Sequence, residues 1–243
     1  MALLRRALRQ PDGLILFTGP TGAGKSLSMI HCLREINTPE LNITTVEEPV
    51  EILLPGIHQV AVHEAIGLNF AQCLRALLRQ DPDVVLIGEM RDFETISAAL
   101  TIAETGHLVF ATLHTNSAVS TINRIIDVFP AHQHNQVRTQ LSATLQGVLS
   151  QQLLPCTTGG RVLALEVMIP NAAIRSQIRE DKIHMVYQSM QMGADKTGMQ
   201  TLNQNLVTLV QKRSISVDIA MNAAYDSDEL KGLLSRVGLG KVG

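Results

Sequence analysis

The apolar positions in the first two thirds of the chain come in short unbroken runs bounded by turn residues: Leu14–Thr18, Ile43–Val46, Val84–Ile87 and Leu108–Thr112. Strands buried on both faces read this way, as continuous apolar runs, because neither side meets water. Between the runs the spacing becomes helical. In Phe70–Gln80, Phe70, Leu74, Leu77 and Leu78 fall at i, i+4, i+7 and i+8, one face of a helix. This alternation predicts an α/β fold, a mostly parallel sheet covered by helices on both faces.

The pattern breaks at Leu154-Pro155-Cys156-Thr157-Thr158-Gly159-Gly160, which reads as a loop. One more β-rich run, Arg161–Ile169, ends at Pro170. Beyond it the spacing predicts helices over Ala172–Glu180, Ile183–Met192 and Met199–Gln211, with a weaker one after Asp226. The predicted organisation is therefore a core over residues 1–169 and a small helical C-terminal subdomain over 170–243.

Composition narrows the class. The 243 residues are 45% hydrophobic and 17% charged, enough to bury a core. The net charge of −2 lacks the basic excess typical of nucleic-acid binders, so no nucleic-acid partner is expected, although Arg5, Arg6 and Arg9 cluster near the start. Cys32, Cys73 and Cys156 are odd in number and far apart, which argues against a disulfide framework or a cysteine zinc site. No apolar run approaches the ~20 residues of a membrane span. Direct membrane insertion is therefore not expected, and a membrane role is expected to run through a partner.

The run Leu14–Thr18 leads into Gly19-Pro20-Thr21-Gly22-Ala23-Gly24-Lys25-Ser26, a full match to G-x-x-x-x-G-K-S/T between a predicted strand and a predicted helix. Such a loop turns its backbone N–H groups inward around phosphate oxygens, and the helix start adds partial positive charge. Lys25 is placed to reach the β- and γ-phosphates of ATP, and the Ser26 hydroxyl to ligate Mg²⁺. Val84–Ile87 then ends in Gly88-Glu89, a carboxylate at a strand end, where an acid can face the metal; Asp92 reads as an N-cap of the next helix. Glu47-Glu48-Pro49-Val50-Glu51 follows another strand. These three carboxylates are either a solvated acidic turn or the source of a base for the attacking water. His107 and His114 bracket the run Leu108–Thr112. Seven residues of strand separate them by roughly 20 Å, so they cannot share a metal ion. His114-Thr115-Asn116 lies at the C-terminal end, either as a polar loop or as ligand contacts.

Taken in order, these segments resemble the secretion ATPase superfamily of type II secretion and type IV pili. Gly19–Ser26 matches its Walker A loop. Thr45–Glu51 is similar to its acidic box, with Glu48 where the family has Asp. Leu77–Asp92 is similar to its Walker B region and Thr105–Thr115 to its histidine box. Within the superfamily, Gly88-Glu89-Met90-Arg91-Asp92, Arg124–Pro130 and Ala173-Ile174-Arg175-Ser176-Gln177-Ile178-Arg179-Glu180 resemble the retraction branch. Leu54–Val60 looks more like the extension and secretion branch. Leu27 stands where Thr is usual.

The resemblance implies a RecA-like core that binds Mg·ATP, with Glu51 as general base and Glu89 acting on Mg²⁺ or its waters. It also implies that His107 and His114 sense the γ-phosphate or link it to a moving interface. It further implies a homo-hexamer in the cytoplasm, held at the inner membrane by a pilus platform protein, that powers pilus retraction. Pilus assembly, type II secretion, or a nucleotide-binding paralogue with little turnover are the alternatives. Relatives carry a PAS-like N-terminal domain, and with 18 residues ahead of Gly19 the expectation is that it is absent.

Overall fold

The computed structural model describes residue 5 and residues 7–239, apart from the side chains of residues 193–197. Arg6 of the arginine cluster lies outside them. Seven strands form one sheet: β1 (Gly13–Thr18), β2 (Ile43–Glu47), β3 (His58–Ala61), β4 (Val84–Ile87), β5 (Leu108–Leu113), β6 (Leu145–Pro155) and β7 (Arg161–Met168). Their order is β3-β2-β4-β5-β1-β6-β7. All neighbours are parallel except β6 and β7, an antiparallel hairpin closed at Pro155 opposite Arg161.

The continuous apolar runs are the central strands, and their alternate residues feed two cores. Leu14, Leu16, Val85, Ile87, Val109 and Ala111 point to one face. Helices α2 (Phe70–Leu77), α3 (Phe93–Glu104), α4 (Ala118–Asp127) and α5 (His134–Thr144) cover that face with Leu74, Ile96, Leu100, Ile122 and Leu141. Ile15, Phe17, Val84, Leu86, Leu108 and Phe110 point to the other, where α1 (Lys25–Ile36) supplies Met29, Ile30 and Leu33.

The helices after Pro170 divide between two cores. Ile174 and Ile178 of α6 (Ala172–Arg179) and Val186 and Met190 of α7 (Val186–Thr197) extend the first core and are fully buried. In contrast, α8 (Leu202–Gln211), α9 (Val217–Ala223) and α10 (Ser227–Arg236) form a third core with Leu154 and Ala164 of the β6–β7 hairpin. Among the described residues no helix is long and apolar enough to cross a membrane.

Three elements differ from the sequence reading. β3 is an edge strand whose residues are exposed or half-buried, so it lacks an apolar run. β6 carries Gln146, Gln151 and Gln152 and begins directly after α5, with no turn residue to mark it; the expected loop begins only at Cys156. The short helix α9 also went unread.

Candidate functional site

Parallel pairing in register brings four separate segments to one edge of the sheet. Thr18 pairs with Leu113, Ile87 with Ala111, and Val46 with Ile87. The residues that follow these strand ends therefore meet, at the C-terminal edge where open α/β sheets bind ligands. They line a cavity of about 430 Å³ whose walls include Thr21–Ser26, Glu47, Glu48, Glu51, Glu89, Arg91, Thr112 and His114.

The loop 19–24 wraps the start of α1, with Gly24 as its N-cap. Ser26 is exposed at the cavity, so its hydroxyl is free to face a ligand. Lys25 is nearly buried, and its Nζ donates to the carbonyls of Gly19 and Pro20 at 2.7 and 3.0 Å. These two residues stand behind the cavity wall and hold the lysine. Burial pushes the Lys25 ammonium below its ordinary pKa, opposed by the nearby Glu89 carboxylate. A buried cation, a helix N-terminus and an open loop of amides make a donor set suited to phosphate.

The structure sorts the acidic cluster. Glu47 accepts from Thr45 Oγ1 at 2.6 Å and from Gln59 Nε2 at 3.0 Å. Gln59, on β3, also donates to the Ile52 carbonyl and accepts from Leu54 N, so it holds the loop that carries Glu51. Glu48 lies 3.8 Å from Arg91. Glu51 is exposed, lines the cavity, and has no hydrogen-bond or ion-pair partner among the described residues. Glu89 accepts from Arg91 Nε at 2.7 Å and lies 3.2 Å from His114 Nε2. The Arg91 hydrogen bond, more than any other influence, holds the Glu89 carboxyl below its usual pKa, so it is ionised at neutral pH. Thr112 Oγ1 braces the turn beneath by donating to the Gly88 carbonyl. Among the described residues no three His, Cys, Asp or Glu side chains are grouped to hold a metal by themselves. Ser26 and Glu89 both line the cavity, and a hydroxyl and a carboxylate are the kind of hard oxygen donors that suit Mg²⁺.

A family profile described as Type II/IV secretion system protein matches residues 1–224. The chain belongs to that family. It is 48% identical over 227 residues to a type IV pilus retraction ATPase, PilT, of Pseudomonas aeruginosa, covering 91% of this chain and 65% of the relative. It is 44% identical over 235 residues to a twitching motility protein of Neisseria gonorrhoeae, covering 94% of this chain and 62% of that one. A crystal structure of the pilus retraction motor PilT with bound ADP superposes with a TM-score of 0.87 at 48% identity, over 94% of this chain and 66% of that one. The chain thus spans less than two thirds of the length of these two sequence relatives.

In this secretion-system family member the histidine pair separates. His114 reaches the site, but His107 does not. It precedes β5, at the opposite edge of the sheet, where its carbonyl accepts from Gly13 N and its Nδ1 lies 3.1 Å from the Ile102 carbonyl. The strand between them is the reason: His107 does not line this cavity, so of the two roles expected of it, sensing the γ-phosphate or linking it to a moving interface, the first does not fit its place here. Three residues that sequence reasoning passed over help to build the site: Arg91, Gln59 and Gln151. Gln151, 1% exposed on β6, donates to Ser28 Oγ in the first turn of α1. The one available signal for it was a polar run, Ser150-Gln151-Gln152, between Val148-Leu149 and Leu153-Leu154.

Proposed function

We propose that the chain is the ATP-binding and ATP-hydrolysing part of a hexameric motor that drives type IV pilus retraction. One observation carries the reading: Lys25, Ser26, Glu51, Glu89 and His114 open onto a single cavity at the strand ends. The likeness to a retraction ATPase over nine tenths of this chain supports the direction of the work.

The amides of residues 21–26, the α1 start and Lys25 receive the β- and γ-phosphates. Ser26 and Glu89 hold Mg²⁺, directly or through its waters; when bound, Mg²⁺ neutralises charge on the transferring phosphoryl group. Arg91 keeps Glu89 ionised and oriented. Glu51, the carboxylate with no partner, takes a proton from the attacking water. As the new P–O bond forms, the bond from the γ-phosphorus to the bridging oxygen breaks, and ADP departs with the electron pair. His114, against Glu89, senses the γ-phosphate or links its loss to a moving interface. The homo-hexamer, the inner-membrane pilus platform protein as partner and the cytoplasmic location belong to the same proposal; the division at 169/170 does not, since α6 and α7 pack into the first core.

Lys25→Ala removes the cation of the phosphate loop itself and is expected to abolish binding of a fluorescent ATP analogue. Affinity equal to that of the wild type overturns the nucleotide assignment. In cells, the same substitution in the chromosomal copy is expected to leave pili present and unretracted. Cells without pili overturn the direction and favour assembly.

A further inference from the structure

Glu166 on β7 is 1% exposed, and nothing in the proposed ATPase chemistry uses it. Its two oxygens are engaged by the first N–H groups of two different helices. Oε1 accepts from Ala118 N, the start of α4, at 2.7 Å, and Oε2 faces Leu202 N, the start of α8, at 3.4 Å. Helix starts present unpaired N–H groups and partial positive charge, so one carboxylate between two of them draws both toward itself.

The two helices belong to different parts of the molecule. α4 follows His114 after three residues, and that link is stiff. Thr115 Oγ1 bonds Thr121 Oγ1 of α4 at 2.7 Å, the Asn116 carbonyl accepts from Ser150 Oγ at 2.6 Å, and Ser117 caps α4 with Ser120. Ser150 is also the cross-strand partner of Glu166. α8 opens the third core, and the residue two before it, Gln200, pairs with Val167 through both backbone bonds. A continuous path therefore runs from Glu89 and His114, through residues 115–117, to the α4 start, Glu166 and α8.

We propose that Glu166 is a positioning residue that clamps the His114 side of the site to the C-terminal helices 202–236, so that nucleotide state is felt at α8. Both oxygens serve as acceptors only in the ionised carboxylate; a protonated one turns an oxygen into a donor and slackens one helix. Burial pushes the Glu166 carboxyl up to about 7, against the pull of the two backbone donors. The titratable groups facing it are Glu229 of α10, Tyr187 of α7 and Tyr225 ahead of α10. β6 contributes Ser150, and α4 and α8 contribute their backbone N–H groups. No cation among the described residues bonds it. The clamp is thus set to be firm above neutral pH and loose below it.

The proposal rests on the nucleotide reading for its coupling arm only. Amide hydrogen exchange of residues 202–211, corrected for intrinsic rates, is measured with and without a non-hydrolysable Mg·ATP analogue at pH 6 and pH 8. In the wild type at pH 8 the analogue is expected to change exchange there roughly fivefold or more, and at pH 6 much less. Glu166→Gln, nearly isosteric but unable to accept at both positions, is expected to lose that transfer at both pH values while binding the analogue normally. Glu166→Asp, too short to reach both helices, serves as the second variant. Equal transfer in wild type and Glu166→Gln, or none in the wild type despite binding, overturns the proposal. If the wild type binds no nucleotide, the functional reading falls instead. The pH dependence of unliganded exchange at 202–211, expected in the wild type and absent in Glu166→Gln, then decides on Glu166 alone.

Discussion

Replacing Gly19 with alanine tests how firmly the phosphate loop is seated on the sheet. The backbone there has φ +137°, and a Cβ would lie 2.2 Å from the Gln151 carbonyl oxygen and 3.1 Å from Ala23 Cβ. The obstacle is backbone in mid-β6, held by β1 on one side and β7 on the other, so the loop must give way. A side chain in that backbone region costs about 1–3 kcal/mol. Overpacking adds about 1–3 kcal/mol. Gly22, at φ +78°, has nothing within 4 Å of an added Cβ, so alanine there carries only the left-handed cost of about 1–2 kcal/mol. A chain of this size loses about 2–4 °C of melting temperature per kcal/mol. Gly19→Ala is therefore expected to melt roughly 4–24 °C lower and Gly22→Ala roughly 2–8 °C lower. Melts by circular dichroism, paired with titration of a fluorescent ATP analogue, read both effects. Gly19→Ala should also weaken binding, since the loop is displaced from its seat. A Gly22→Ala variant that melts as low as Gly19→Ala, or lower, refutes the argument from the Gln151 carbonyl.

Glu51→Gln is expected to lower turnover by about 10²–10⁴ in an assembled ring while Mg·ATP affinity holds; if Glu47→Gln is the inactive variant instead, the base has been misassigned. Glu166, with its pKa raised from the ordinary carboxylate value to about 7, contributes stability that is complete below pH 4.5 and is lost as pH rises toward 7. Relative to wild type, Glu166→Gln should gain roughly 3 kcal/mol between those limits by urea titration, and a flat difference refutes the shift. On α6, Ile174→Ala should cost about 2–5 kcal/mol because Ile174 is fully buried. Arg179 is exposed, so Arg179→Ala should leave stability within about 0.5 kcal/mol. With ATPase activity retained, loss of retraction in Arg179→Ala would assign this helix to force transmission, and wild-type retraction would exclude it.

What could be read in the sequence was what lies within one stretch of chain. The phosphate loop carries its own glycines, lysine and flanking elements, and four of the central strands advertise themselves because both of their faces are buried. The three glutamates within residues 47–51 could not be told apart, because Gln59 on an unread edge strand is what occupies Glu47 and leaves Glu51 open. His107 and His114 were separable by strand length, and the position of the loop at the C-terminal edge marks His114 as the one that lines the cavity. Glu166 carried a signal that went unused. Ala164, Glu166 and Met168 share one face of β7 at period two, and the two apolar members are fully buried. A charge at the middle position had to face inward and find partners, but which helix starts would meet it depended on contacts 36 and 48 residues away.

The β6–β7 hairpin touches both ends of this arrangement. β6 starts beside β1, at Leu14 opposite Leu145, and ends at Pro155 over the third core. Eleven residues of strand extend roughly 36 Å at about 3.3 Å each. A load drawn along that axis strains the β6–β7 rungs in shear, so they share it, whereas a load across the axis would open them one by one. The hairpin is a girder, and the segment carrying α8 is tied to it at both ends, through Gln200 to Val167 and through Ser214 to Thr157. For tension applied along the strand α8 is expected to move with the sheet as one rigid piece, and for a sideways pull the open end, at Val148 opposite Met168, is where the ladder should first come apart, because the turn joins the strands at Pro155 and Arg161.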